Sequence, residues 1–403
     1  MQSLIRDHPA RAETTGAAAM PGAEPGPLIA FFGHDSAEST VIKRARGFQA
    51  SGARVMGFMF RREREGRDAA PEWDNVDLGT TVDRNYLERL PKLLLGVIRA
   101  VRRRALLRQC DAIYARNLDM LLVAVLAKAL TGAKAPIAYE VLDVRRVFLG
   151  DGLASRLFRW AERRLMAGSS LLVVSAPDYI RHYFEPRQNY TGRWFLLENK
   201  LPAAAFPEGG ALPQGGLPPG PPWVIGMFGV LKCARSMAIL THLAERLGDK
   251  VAITLRGIPS ETDIPAETIR AAAARLPNLT FEGPYVNPRD LAEIYSKVHF
   301  IWTADFLDPG GNSEWCLANR LYEGGLMGAV MIAASGNATG DMVEREHLGF
   351  TLAEPLEEEA VRFLETLTED EYTAARHSVR HADPALFIDT TDTARLVRAV
   401  CKP

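Results

Sequence analysis

Short apolar runs alternate with helix-patterned stretches along most of this 403-residue chain, which restricts it to parallel sheets covered by helices. LIAFFG at 28–33 precedes a helical stretch through Phe48, then RVMGFMF at 54–60, a long helix and DAIYA at 111–115. A helix after Asp119, PIAYE at 136–140, a helix from Leu153 to Met166, SLLVVS at 170–175, a helix after Pro177 and RWFLL at 193–197 continue the pattern. Between Leu201 and Pro222 the composition shifts to LPAAAFPEGGALPQGGLPPGPP, where proline and glycine oppose regular structure. A second alternation follows, through WVIGMFG (223–229), VAITLRG (251–257), LTFEG (279–283), VHFIWT (298–303) and AVMIAAS (329–335). The segment from Leu356 onward reads as wholly helical. The expected organisation is α/β: a disordered tail at 1–26, a Rossmann-like domain at 27–200, a linker at 201–222, a second Rossmann-like domain at 223–380, and a helical end at 381–403 that packs back on the first domain.

Charge narrows the partners. Lys and Arg total 48 against 49 Asp and Glu, so the chain lacks the global positive field of a protein that coats nucleic acid, and none is expected as a partner. Its cysteines, at 110, 233, 316 and 401, are too sparse for a disulfide scaffold and lack the short spacings that hold zinc. Reduced thiols and a cytoplasmic location are expected. The first 25 residues carry no continuous apolar core of the secretory type, and the best apolar run, Leu121 to Ala127, stops at Lys128, too short to span a bilayer.

Open α/β sheets bind ligands beyond the carboxyl ends of their strands, so the strand ends are where chemistry is sought. Gly33, His34 and Asp35 close the first strand; a glycine there admits a ligand to the backbone, and equally makes a tight turn capped by Asp or Ser. Glu140 and Asp143 stand where a later strand meets its loop. Carboxylates there can bond sugar hydroxyls or take a proton from an acceptor, or can cap a helix and pair with Arg145 and Arg146. Arg116 faces the cleft or solvent. In the second half, Gly229, Lys232 and Arg235 precede a helix start, where backbone amides, helix dipole and cations can converge on a phosphate. Arg256 either adds a third cation or pairs with an acid. The segment DPGGNSEWCLANRLYEGGLMGAVMIAAS, residues 308–335, enters a helix bearing Glu323 and stops at Gly328 before a buried strand.

That last segment resembles the GT-B glycosyltransferases of the large retaining, nucleotide-sugar-dependent group (GT4-like), whose E-x7-E motif runs into L-E-A-x-A-x-G-x-P-V-I-A. Leu321 to Ala333 aligns with its second half. The Asn319 to Glu323 spelling is similar to bacterial exopolysaccharide enzymes of the succinoglycan type. The resemblance implies two Rossmann-like domains facing across a cleft. It also implies a nucleotide diphosphate sugar as donor substrate, Glu323 on the donor ribose, and Gly229, Lys232 and Arg235 on the diphosphate. The first Glu of the motif should stand where Trp315 is; Glu314 lies one residue earlier. Either a one-residue shift restores that carboxylate, or Asn312, Ser313 and Trp315 meet the donor sugar differently, with Asn319 nearby.

Breaking the anomeric bond releases a nucleoside diphosphate, so cations that bind its growing charge lower the barrier. No D-x-D pair presents itself at a strand end, so no metal cofactor is expected. By resemblance the leaving phosphate helps to deprotonate the acceptor, with Asp143 or Glu140 orienting its hydroxyl. The acceptor is expected to be lipid-linked or a polysaccharide. Residues 92–108 carry six cations and no acid, with Leu94, Val97, Ile98, Val101 and Ala105 on one face. Such a helix suits an anionic membrane surface at the inner face of the plasma membrane, and suits an ordinary domain helix as well. A nucleotide-sugar 2-epimerase and a non-catalytic sugar-nucleotide-binding subunit are the competing readings.

Overall fold

The computed structural model describes residues 25–62, 71–81, 86–206 and 216–401. The expected tail, apart from residues 25 and 26, and the glycine-rich middle of the linker lie outside the described residues.

The first sheet is built from β1 (Leu28–Gly33), β2 (Arg54–Arg62), β3 (Asp74–Thr81), β4 (Ala112–Arg116), β5 (Ile137–Val141), β6 (Leu171–Val174) and β7 (Trp194–Leu196). All neighbours pair in parallel, in the order β3-β2-β1-β4-β5-β6-β7. β1, β4, β5 and β6 are Val-, Ile-, Leu- and aromatic-rich because helices cover both faces, which is what central parallel strands require. β3 was not expected: its DNVDLGTT is polar and glycine-bearing, and it survives as a strand because it lies at the sheet edge. Helices Tyr86–Arg102, Asn117–Thr131 and Leu153–Met166 share one core with Phe32, Phe58 and Ile113, whereas helix Ser39–Ala50 packs on the other face with Phe31 and Tyr114.

The 92–108 segment departs from the single apolar face expected of it. Leu93, Val97 and Ala100 point into the core while Leu94 and Ile98 are exposed, and the helix breaks at Arg103. It is apolar on two sides.

The linker is structured at both described ends. β8 (Leu201–Pro202) follows β7 directly, and Leu217 and Pro218 give their carbonyls to Arg376 and His299 of the second domain. The second sheet comprises β9 (Trp223–Leu231), β10 (Val251–Pro259), β11 (Leu279–Phe281), β12 (Phe300–Trp302), β13 (Val330–Ala334) and β14 (Gly349–Leu352), parallel in the order β11-β10-β9-β12-β13-β14. The helical reading from Leu356 holds for Leu356–Thr366 and Glu369–His381, then fails at β15 (Ile388–Asp389), which pairs with β8. Outgoing and returning chain therefore run side by side where the domains join. The last helix, Asp392–Cys401, lies against helix Ser39–Ala50 and buries Leu396, Val397 and Val400 in the core face of the first sheet. At about 1.5–3 kcal/mol for each fully buried aliphatic side chain, those contacts hold the chain end firmly on the first domain.

Each sheet reverses strand order once, between β1 and β4 and between β9 and β12. The carboxyl ends at those switch points carry Gly33 and Arg116 in one domain and Gly229 and Trp302 in the other.

Candidate functional site

A cavity of about 380 Å³ opens between the domains, large enough for part of a nucleotide. The first domain contributes Leu142, Ser175 and Asn199; the second contributes the β9 turn, the 303–305 strand end and the start of helix Asn319–Met327.

At the β9 turn, Gly229 has φ +108, a conformation reserved for glycine, and it lines the cavity beside Lys232. Lys232 makes no ion pair among the described residues and lines the cavity together with the acids Asp305 and Glu323. Arg235 goes elsewhere. Its guanidinium donates to Glu354 at 2.7 Å and to Glu357 at 3.5 Å and lies over the Phe306 ring, outside the cavity lining. Arg256 takes the second of its two expected alternatives: it pairs with Glu282 at 3.4 Å, donates to the Pro284 carbonyl and does not line the cavity. The second cation at the cavity is Arg320, on the first turn of helix Asn319–Met327. Its Nη1 is buried with no hydrogen-bond partner. A buried guanidinium N–H left unpaired is costly, and an anion would satisfy it.

Glu323 lies one turn further along the same helix, 7% exposed, and lines the cavity. Asn287 donates to its Oε1 at 2.6 Å and the Tyr295 hydroxyl to its Oε2 at 3.0 Å. Burial pushes its carboxyl above the ordinary range, opposed by Tyr295, by Lys43 and Arg320 charges and by Asn287. The side chain is thus fixed in place and short of compensation, ready to accept from hydroxyls. Glycine is required at two positions here: Gly328, φ +73, ends the helix before β13, and inside the helix a Cβ on Gly325 would stand 2.1 Å from the Phe387 ring of the returning chain.

The 308–318 loop divides its side chains. Asn312 and Ser313 line the cavity, but Asn312 Oδ1 already accepts from the Tyr179 hydroxyl at 2.6 Å and from the Val144 amide at 3.4 Å. Ser313 Oγ accepts from the Asp308 amide and donates to Asp305. Trp315 leaves the cleft: it stacks on His182 with centroids 5.6 Å apart and joins the core of the first domain. Glu314 is exposed, accepting from the Gly310 amide, and does not line the cavity. Asn319 does line it. The loop therefore clasps the first domain, helped by the Arg146–Asp308 ion pair.

In the first domain, a smaller cavity of about 60 Å³ lies at the β5 end, lined among others by His34, Asn117, Asp143 and Arg145. Asp143 is exposed there. Glu140 is not available for the role expected of it. It is 1% exposed and paired with Arg44 at 2.9 Å and Arg116 at 3.3 Å. Burial would raise its carboxyl; the Arg44 and Arg116 charges outweigh that and hold it below the ordinary range. Arg116 accordingly faces neither cleft nor solvent. Gly33 packs on Met59, and Asp35 closes its own turn by accepting from the Ala37 amide at 3.1 Å, the capping alternative. His34 is bonded to Glu38, whose carboxyl is held down at about 2, burial being outweighed by the His34 contact and the Thr40 hydroxyl.

Sequence reasoning missed Arg320, Asn199, Tyr285 and Asn337 at the main cavity. Asn337 caps helix Ala338–Arg345 through the Gly340 amide, a signal readable as Asn before a helix. Arg320 had only its position, three residues before Glu323.

No family model matches the chain. Succinoglycan biosynthesis protein ExoL of Rhizobium meliloti strain 1021 is 36% identical over 373 residues, 92% of each chain. The Anabaena HepE structure in complex with UDP and glucose superposes with TM-score 0.63 at 16% identity, covering 94% of this chain and all of that one. The lipopolysaccharide outer core galactosyltransferase WaaB, apo form, gives TM-score 0.61 at 14% identity over 93% of this chain and 99% of its own. The fold is that of the GT-B glycosyltransferases.

Proposed function

Because this chain belongs to the family of succinoglycan biosynthesis protein ExoL, we propose that it moves a hexose from a nucleoside diphosphate sugar, with retention, to a lipid-linked or polysaccharide acceptor of exopolysaccharide synthesis. The observation that carries the reading is the convergence of Lys232, which makes no ion pair among the described residues, and Arg320, whose Nη1 is buried without a partner, on one interdomain cavity with buried Glu323. HepE, whose structure contains UDP, makes UDP the first nucleotide to test.

The diphosphate sits at the Gly229–Lys232 turn, where the glycine conformation leaves the backbone open to it. Lys232 and Arg320 pair with its oxygens, in the roles expected of Lys232 and Arg235, and no divalent metal is invoked. Glu323 accepts from the ribose hydroxyls. The glycosidic C1–O bond breaks with its electron pair moving onto the leaving phosphate, and the two cations bind that phosphate more strongly as its charge grows. The acceptor oxygen bonds to C1 on the same face, and its proton passes to the departing phosphate oxygen. Asp143, exposed on the smaller cavity of the first domain, accepts from the acceptor hydroxyl and fixes its approach. Glu140 serves at a distance by holding Arg44 and Arg116.

The purified chain incubated with UDP- and GDP-hexoses should release nucleoside diphosphate slowly to water and lose that activity with Lys232→Ala. Epimerised donor without release would favour the 2-epimerase. Tight nucleotide binding with neither product would favour a non-catalytic subunit.

A further inference from the structure

Helix Leu153–Met166 turns a row of large apolar side chains to solvent: Leu153 is 82% exposed, Leu157 63% and Trp160 59%. Their spacing, i, i+4 and i+7, places them on one face, opposite buried Ser155, Glu162 and Met166. Arg156, Arg163 and Arg164 flank the row and are exposed. The helix has a single acid, Glu162, and it faces inward to accept from Tyr139, Tyr183 and Gln188. Helix Tyr86–Arg102 repeats the arrangement, with Leu90, Leu94, Leu95 and Ile98 all about half exposed beside Arg99 and Arg102. Helix Asn117–Thr131 packs between the two, so all three form one outer layer of the first sheet. A helix that follows a parallel strand starts at the carboxyl end of the sheet, so Leu153 marks the cleft end of that layer.

We propose that this layer seats on an anionic lipid bilayer, with Leu153, Leu157 and Trp160 immersed at the boundary between headgroups and acyl chains. Single exposed apolar residues are ordinary; two such rows within one helical layer are not. Charge selects the occupant. Residues 92 to 109 contain no acid and the one acid from 153 to 166 is buried; the exposed Asp151 just before the second row pairs with Arg187, which leaves the cations on the rows to anionic headgroups. A second copy of the same face would set arginine against arginine. No described helix is long and apolar enough to cross a membrane, so attachment lies in the interface plane. Seated this way, the cleft end of the layer meets the lipid, which deepens the lipid-linked acceptor reading: the acceptor enters past Asp143 while its lipid stays in the bilayer.

The test uses the full chain, sedimented with vesicles rich in phosphatidylglycerol and, separately, with pure phosphatidylcholine. Binding to the anionic vesicles alone, with a blue shift of tryptophan emission absent from Trp160→Phe, is expected. The combined substitution Leu153→Ser, Leu157→Ser and Trp160→Ser should weaken partitioning at least about tenfold while leaving the UDP-induced thermal shift intact. Where that variant fails to fold, Arg156→Glu with Arg164→Glu carries the test and should weaken binding several-fold. Vesicle binding unchanged by these substitutions, no preference for anionic lipid, or a wild-type dimer that the serine variant dissolves would overturn the inference. Donor binding is read separately, so a loss of docking alone leaves the glycosyltransferase reading standing.

Discussion

Arg320→Met separates a ligand-binding cation from a structural one. In the unliganded protein the Arg320 Nη1 is buried without a hydrogen-bond partner. An unsatisfied buried donor costs about 1–3 kcal/mol, and methionine retains much of the apolar stem. The substitution should therefore leave the stability of the unliganded protein unchanged or raise it by about 1 kcal/mol, a rise of roughly 2–4 °C in melting temperature for a domain of this size. Nucleoside diphosphate affinity should move the other way. A hydrogen bond between a charged group and phosphate contributes about 1.5–3 kcal/mol, so the dissociation constant should rise about 10- to 100-fold. Differential scanning fluorimetry without ligand, and calorimetric titration with UDP, read the two quantities independently. A variant that melts well below wild type yet binds UDP equally would refute the reasoning and return Arg320 to the framework.

Glu323→Gln should also be neutral or stabilising without ligand, because burial already raises the carboxyl above its ordinary value and the amide oxygen keeps the Asn287 bond. UDP affinity should fall about tenfold in titration as the charged acceptor is lost. Arg235→Ala should change UDP affinity little, and stability by at most about 1 kcal/mol, because its Glu354 pair is surface-exposed. Glu140→Gln should cost about 3–5 kcal/mol in denaturant unfolding, since it leaves Arg44 and Arg116 buried against a neutral group. Glu140 has a lowered folded value, so its contribution is present above the unfolded carboxylate range and is lost as pH falls through the folded value. The difference between wild type and Glu140→Gln should accordingly shrink in acid unfolding curves.

Both parallel sheets were legible because their central strands are short runs apolar on both faces that alternate with longer helical stretches. β3 was not, since an edge strand needs no apolar face and DNVDLGTT advertises a turn. Strand-end position alone could not say which way a side chain points. Glu140 lies at the end of its strand as expected, but its partner Arg44 comes from helix Ser39–Ala50, 96 residues away, and that contact decides its role. Arg235 and Arg320 both open helices, and only packing against Glu354 turns the first away from the cavity. The 92–108 helix was read as a single stripe because Leu94 and Val97 fall within one broad apolar arc. The sheet takes Val97 and leaves Leu94 outside.

The most direct measurement is the electron density of a crystal soaked in UDP. The account predicts the β-phosphate within hydrogen-bonding distance of Lys232 Nζ and Arg320 Nη1, with the ribose hydroxyls on the Glu323 carboxylate. Nucleotide bound away from that corner, or a phosphate held by Arg235 instead, would contradict it.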